Sequence, residues 1–396
     1  MMDRPLPTAP PQFPIPEVSI PEVSIIVPAR NEEASLGDCL ESLTSQTAVA
    51  FEIIVVDDGS TDRTRAIAQS FAGVRVISPE PLPEGRTQGQ SERRTTNNWT
   101  GKNNAVVAGA NEARANWLLF TDADTVHLPG SLARALNEAK NERADLLSYS
   151  PDQVVVTFAE RAVMPVIFAE LAAHYPPRKV RERSPGQSPG QSSEIVAANG
   201  QYILVRRAAY DAVGGHAAVA TEILEDVALA RIFRSAGLRV YFRYGGDAVR
   251  TRMYRNWAQL REGWTKNLAL LFPQPERLAL QSLLLWFMAW ATLAIAASGA
   301  ASQHFVRIGF AAFWLLLYRR IRVAHFATAN NLVAMAFGLP IFAYLLLRSK
   351  KAHANGQVLW KGRAYSTGAP GRSKPEEMQV AKPIPGMENH KLTTEN

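Results

Sequence analysis

Hydrophobic and polar positions fall into two alternating kinds of segment between residues 23 and 150. Val23–Val27, Phe51–Val56, Val74–Ile77, Trp117–Thr121 and Leu146–Tyr149 are short apolar runs, which predict strands. Thr61–Phe71, Lys102–Arg114 and Leu132–Lys140 lie between them and carry helical spacing. Strands that are apolar throughout are buried on both faces. Alternated with helices, they predict an α/β domain with a mostly parallel sheet and helices on both faces. Ligands in such sheets sit beyond the carboxyl ends of the strands. The turn Asp57–Asp58–Gly59–Ser60 closes the second run, and Asp122–Ala123–Asp124 closes the fourth. Both acidic turns are therefore predicted at that edge.

The pattern changes after residue 275. Leu278–Ser298 carries no charge and a single amide, Gln281. About 20 apolar residues in a helix cross a bilayer core, so this segment predicts a membrane span. Leu332–Leu347, extendable backward through His325–Asn331, predicts a second. Phe305–Tyr318 is shorter, carries Arg307, and reads as a third span or an interfacial helix. Arg319, Arg320 and Arg322 follow it, while Arg348, Lys350 and Lys351 follow the last apolar segment. Three spans would put these clusters on opposite faces, against the tendency of basic residues to stay inside. Phe158–His174 mixes Val163, Met164, Ile167 and Phe168 with Glu160, Arg161 and Glu170. It suits an amphipathic helix at a membrane surface or one packed on the sheet.

The predicted organisation is a disordered proline-rich lead over 1–22, an α/β domain over 23–275, a membrane region of two or three spans over 276–348, and a mostly disordered tail over 349–396. Pro16–Ile20 is repeated at Pro21–Ile25, a local duplication. Arg86–Asn98 and Ser184–Ser193 are polar, aperiodic insertions expected as surface loops.

Composition narrows the function. The net charge is +7, yet no nucleic-acid motif accompanies it, and basic residues crowd beside the apolar C-terminal segments. That favours a membrane surface over nucleic acid. The lone Cys39 excludes an internal disulfide framework and fits a reducing compartment. No secretory signal pattern opens the chain.

Candidate chemistry is acidic. In VSIIVPARNEE (23–33) and IIVVDDGSTD (53–62), a buried strand delivers carboxylates to its carboxyl end, where they can accept hydrogen bonds from a base or ribose. In LFTDADT (119–125), Asp122 and Asp124 can approach one divalent cation that also touches a diphosphate. Mg2+ and Mn2+ suit such oxygen ligands. In ILEDVALAR (223–231), Asp226 opens a helix and reads either as a cap or as a general base. Trp257 and Trp264 read as interfacial anchors or, for Trp264, as a stacking surface in the site. The histidines show no metal-ligand spacing.

Taken together and in this order, VSIIVPARNEE, VVDDGSTD, TDADT and LEDVALAR resemble the family 2 glycosyltransferases, which have the GT-A fold. The resemblance covers about residues 23–270. It implies that Pro28, Arg30, Glu32 and Asp58 line a nucleotide pocket, with Asp57 most directly on the base. It implies that Lys102 in TGKN approaches the diphosphate, that Asp122 and Asp124 hold Mg2+ or Mn2+, and that Asp226 is the catalytic base. WTGKNNA (99–105), GQYILVRRAAYDAVGGH (200–216) and WKGRAY (360–365) are similar to the hopanoid- and carotenoid-associated branch of that family. Gln201, Arg261 and Trp264 are the candidates on the acceptor or diphosphate side, with Lys266 an alternative source of positive charge.

The resemblance implies a hexosyltransferase that moves a single sugar, with inversion, from a nucleotide sugar of UDP type. The acceptor would be the hydroxyl or carboxyl of a membrane lipid, a carotenoid or hopanoid. A ceramide- or diacylglycerol-type glycolipid enzyme, and a non-catalytic membrane scaffold, are the alternatives. The expected location is the cell membrane, multi-pass, with the catalytic domain cytoplasmic and no nucleic-acid partner. Two departures stand out. Leu82–Gly85 is separated from Trp99 by the Arg86–Asn98 insertion, and the Gln-X-X-Arg-Trp of processive relatives is replaced by LREGW at 260–264. Removing everything after Pro275 is expected to leave a domain that still binds donor.

Overall fold

The structure, a computed structural model, describes residues 20–80, 100–181, 195–298, 304–356, 358–360 and 363–365. The proline-rich lead up to residue 19, both polar insertions, Trp99 and most of the tail lie outside the described residues.

The strands are β1 (Val23–Ala29), β2 (Phe51–Asp57), β3 (Val74–Ile77), β4 (Trp117–Thr121), β5 (Thr125–His127), β6 (Leu146–Ser150), β7 (Asp152–Gln153), β8 (Tyr202–Arg206), β9 (Val240–Tyr244) and β10 (Val249–Thr251). The helices used below are α1 (Leu36–Thr44), α2 (Thr64–Gln69), α3 (Gly101–Glu112), α4 (Ser131–Asn141), α5 (Phe158–His174), α6 (Pro177–Arg181), α7 (Arg207–Ala212), α8 (Glu225–Ser235), α9 (Trp257–Leu271), α10 (Pro275–Ala297), α11 (His304–Arg322) and α12 (Thr328–Ala354). Val358–Trp360 and Arg363–Tyr365 pair antiparallel.

Seven strands form the main sheet in the order β3-β2-β1-β4-β8-β6-β9. All neighbours are parallel except around β8, which runs antiparallel to both β4 and β6. Ile25 and Val27 turn to one face and pack with Leu36 and Leu40 of α1 and Leu136 of α4. Ile26 and Ile54 turn to the other and pack with Val106 of α3 and Leu229 and Phe233 of α8. This two-sided burial is why the strands are apolar at consecutive positions. Gly109 lets α3 close on the sheet, since a Cβ there would meet Ile26 at 2.5 Å and Val56 at 2.9 Å. A second sheet, β5-β10-β7, braces the region after Asp124.

Every strand predicted from the sequence is present. The second helix starts later than its spacing suggests. The Thr61 backbone amide donates to Asn31 Oδ1 at 2.9 Å, and Asp62 Oδ1 accepts from the Thr64 amide at 2.9 Å. Residues 61–63 thus tie the β2 turn to the β1 turn instead of entering the helix.

The segment Phe158–His174 is helical over its whole predicted length. It packs neither on the sheet nor alone at a surface. Val163, Met164, Val166 and Ile167 are buried among α9, α10, α11 and α12. Its buried Glu170 accepts from Arg320 of α11. Glu160 closes a capping box with Thr157. Two helices, Pro275–Ala297 and Thr328–Ala354, are long and apolar enough to cross a membrane; half of the apolar window of the second is buried.

Candidate active site

A cavity of about 430 Å³ opens at the carboxyl ends of the parallel strands. Pro28 and Arg30 reach it from the end of β1, Asp58 from the end of β2, and Asp122 and Asp124 from the end of β4. Lys102 enters from the first turn of α3, and Glu225 and Asp226 from the first turn of α8. The sequence-predicted residues Glu32 and Gln201 line it too. Residues spread over about two hundred positions converge because the sheet places each strand end at one edge.

The centre of the cavity is a charge cluster. Lys102 Nζ lies 2.8 Å from Asp122 Oδ1 and 2.8 Å from Glu225 Oε1. Burial alone would lower the ammonium's pKa, but Asp122 and Glu225 hold it well above its ordinary value. Burial likewise favours a protonated Glu225, and Lys102 overrides it and keeps that carboxyl ionised. Asp226 is driven the other way. Burial and then the Glu225 charge raise its pKa, with Lys102 and two backbone amides opposing. Those amides fix its orientation: Gly200 N–H donates to Oδ2 at 2.8 Å and Val227 N–H to Oδ1 at 2.8 Å. The space beside Gly200 is tight, since a Cβ would sit 3.2 Å from Lys102 Nζ and 3.4 Å from Glu225 Oε1. A pair of neighbouring carboxyls pushed in opposite directions is the pattern of a site that needs one fixed charge and one proton acceptor.

Arg30 donates to the Asp58 carbonyl oxygen at 2.9 Å and bridges the turns after β1 and β2. Asp57 does not line the cavity. It is buried beside it, where its Oδ1 accepts from the Ser60 amide at 3.1 Å and its Oδ2 faces Arg65 at 3.3 Å. Gln201 donates to Thr251 Oγ1 at 3.1 Å, while its Oε1 is buried with no hydrogen-bond partner.

Part of the lining is apolar, made by Phe168 and Leu171 of α5, Met253, and Trp264 and Leu271 of α9. Trp264 is buried, its Nε1 3.3 Å from Met164 Sδ, so it belongs to this apolar part and is not a surface anchor. Trp257 is the exposed tryptophan of α9. Lys266 of α9 lines the cavity, and Arg261 of the same helix does not. Burial lowers the pKa of Lys266.

Sequence reasoning did not find Tyr244 and His325. His325 comes from the connection between α11 and α12, stacks on Tyr244 with ring centroids 4.2 Å apart, and completes the wall. Its positive φ of 63° was not readable from its neighbours. His216 is packed beside Phe120, with Nδ1 3.0 Å from the Tyr210 hydroxyl.

Among the described residues, no group of three or more His, Cys, Asp and Glu side chains gathers to hold a metal. The donor set is two aspartates. Asp122 and Asp124 are hard oxygen donors on one wall, which fits Mg2+ or Mn2+ only if a ligand such as a diphosphate fills the remaining positions.

Residues 24–190 match the family described as Glycosyl transferase family 2. The 4,4'-diaponeurosporenoate glycosyltransferase of Staphylococcus aureus strain MRSA252 is 27% identical over 364 residues, covering 87% of this chain and 88% of the relative. Its counterpart in strain USA300 is 28% identical over the same span. Among solved structures, a Pyrobaculum calidifontis mannosyltransferase in complex with GDP-Man and Mn2+ aligns with TM-score 0.43 and 17% identity, over 85% of this chain and 87% of that one. The Mycobacterium tuberculosis glucosyl-3-phosphoglycerate synthase in complex with Mn2+ and UDP-glucose aligns with TM-score 0.38 and 19% identity, over 63% and 78%. With the mostly parallel sheet and the acidic strand ends, the match over residues 24–190 and the staphylococcal relatives identify a family 2 glycosyltransferase domain in this chain, which is a glycosyltransferase.

Proposed function

We propose that the enzyme transfers one sugar, with inversion, from a nucleotide sugar of UDP type to the hydroxyl or carboxyl of a carotenoid-type membrane lipid. One observation carries this reading: a single cavity joins a carboxylate–lysine cluster to an apolar aromatic wall. The first half suits a metal–diphosphate donor and the second an apolar acceptor. The name of the staphylococcal relatives supports a carotenoid acid as the acceptor class.

Asp122 and Asp124 would hold the divalent ion, whose chemistry is to neutralise the leaving diphosphate. Arg30, Glu32 and Asp58 line the nucleotide side, with Pro28 beneath and Asp57 bracing the turn. Lys102, already desolvated, stands ready to trade a carboxylate for a phosphate oxygen. The acceptor oxygen attacks the anomeric carbon from the face opposite the diphosphate, and the carbon–oxygen bond to the diphosphate breaks. A hydroxyl acceptor gives its proton to Asp226, whose orientation is set by the Gly200 and Val227 amides. The wall of Phe168 and Trp264 holds the apolar chain, with Gln201 at the junction of the two halves. Nucleotide sugars are made in the cytoplasm, so the catalytic domain faces that side of the cell membrane.

The test uses purified full-length enzyme with UDP-glucose, Mn2+ and a carotenoid acid or alcohol in lipid vesicles. The expected product is a single-sugar glycoside of inverted configuration by NMR, lost on chelation and restored by Mn2+. Transfer to water-soluble acceptors only, or a polymeric product, would sink the reading.

A further inference from the structure

Helix α12 is in contact with the α/β domain and its α5 and α9 along its whole length. Just before its first turn, His325 stacks on Tyr244 at the end of β9. Near its middle, Phe337 meets Phe158 with centroids 5.5 Å apart, and Gly338 lies against the Ala162 carbonyl of α5. Further on, Tyr344 stacks on Trp257 of α9 at 6.3 Å. At its end, Ser349 Oγ donates to the Thr265 carbonyl at 2.7 Å, and His353 Nε2 lies 2.8 Å from the Lys266 carbonyl oxygen. Tyr244, Lys266 and His325 line the same cavity. A helix that crosses a hydrocarbon core of about 30 Å carries one end away from the domain that holds the other. Both ends of α12 are held by one domain.

Helix α10 runs back along α12 in the opposite direction. Glu276 in its first turn pairs with Lys350, and Trp286 Nε1 donates to the Ala336 carbonyl at 2.8 Å. Helix α11 then returns. Trp314 donates to Thr292 at 3.0 Å, and Arg320 pairs with Glu170. The helices form a layer on the domain rather than a bundle projecting from it.

We propose that the chain enters only one leaflet, with α10 and α12 lying along the membrane plane, instead of the multi-pass arrangement expected from the sequence. This rests on the membrane association proposed above. The immersed surface of α10 includes Leu280, Leu284, Phe287 and Ile295 on one side and the exposed Trp290 and Leu293 on others, so the leaflet takes in more than one side of the helix. The partner is a leaflet rich in anionic lipid. Arg320 of the cluster Arg319, Arg320 and Arg322 pairs with Glu170 of α5, and Lys350 of the cluster Arg348, Lys350 and Lys351 pairs with Glu276, so neither cluster has to cross the bilayer in this arrangement. The conflict that three spans create for basic residues disappears, and both clusters meet the same headgroups.

Single cysteines decide it. Ser298→Cys at the far end of α10 and Asn355→Cys after α12 are placed in a Cys39→Ser chain, with Ala297→Cys as a substitute should Ser298→Cys not accumulate. Each is treated with a membrane-impermeant maleimide in intact cells and in inside-out vesicles. The expected result is no label in intact cells, label on Asn355→Cys in inside-out vesicles, and label on Ser298→Cys there or only after detergent. Labelling of either cysteine in intact cells overturns the proposal while leaving membrane association intact. Recovery of the chain in the soluble fraction after lysis overturns membrane association itself, and this proposal with it.

Discussion

The carboxyls of Asp226 and Glu225 are adjacent in sequence, yet their surroundings separate their proton affinities. Burial and the Glu225 charge raise Asp226 to about 6. The carboxylate form is the working base, so transfer to a hydroxyl should fall as pH drops through about 6 and level off above it. Asp226→Asn should cost a hydroxyl acceptor on the order of a hundredfold or more in kcat. A carboxyl acceptor, with an ordinary pKa of about 4.3, arrives ionised and needs no base. Its transfer should show neither the limb nor the large loss, so rate–pH profiles on the two acceptors read out the role directly. Glu225→Gln removes the negative neighbour that raises Asp226 and frees Lys102 to lower it further. The acid limb should move to lower pH, and an unmoved limb would remove Glu225 from the account. That Asp122, Asp124 and Asp226 share one cavity was legible in the sequence because each sits at a strand end or helix start, whereas Lys102 entered only through the resemblance of TGKN. Tyr244 and His325 were not legible, because nothing in either local pattern encodes a stack made across 81 residues.

At the scale of elements, strands were read well because burial on both faces leaves an uninterrupted apolar run. The reversed direction of β8 was not readable, since apolar runs look alike in either direction. The faces of α5 were misleading for a related reason. Its apolar residues announce a buried surface without naming the partner, which is α12. That contact yields a prediction. A Cβ at Gly338 would meet the Ala162 carbonyl and Val166 Cγ2, the latter at 2.7 Å, and neither a backbone carbonyl nor a packed valine can withdraw cheaply. Gly338→Val should destabilise the chain by about 1–3 kcal/mol, read as a lower melting temperature in detergent. Gly309→Ala on α11, where a Cβ meets nothing within 4 Å, is the matched control and should leave the melting temperature unchanged. Equal melting of both variants would mean that the α5–α12 contact is not a close one in solution.

For the whole molecule, the sequence suggests a division at residue 275 that the packing does not respect. A chain ending at Pro275 was expected to bind donor as an autonomous domain. In the structure, Leu268 and Phe272 of that domain are buried in one apolar cluster with residues of the helices that such a truncation removes. Phe272 meets Phe342 edge-on at 5.9 Å, and the Ala269 amide donates to Ser349 at 2.9 Å. Exposing two large apolar side chains costs about 1.5–3 kcal/mol each, a large share of the stability of a domain, about 5–15 kcal/mol. The cavity would also lose Val323, Ala324 and His325 from its wall. The truncated chain should therefore aggregate or stay bound to chaperone, and calorimetry should show no donor binding, whereas the full chain binds donor with Mn2+. A monomeric, donor-binding fragment by size exclusion and calorimetry would show that the layer of helices is an appendage, and that only the acceptor half of the cavity depends on it.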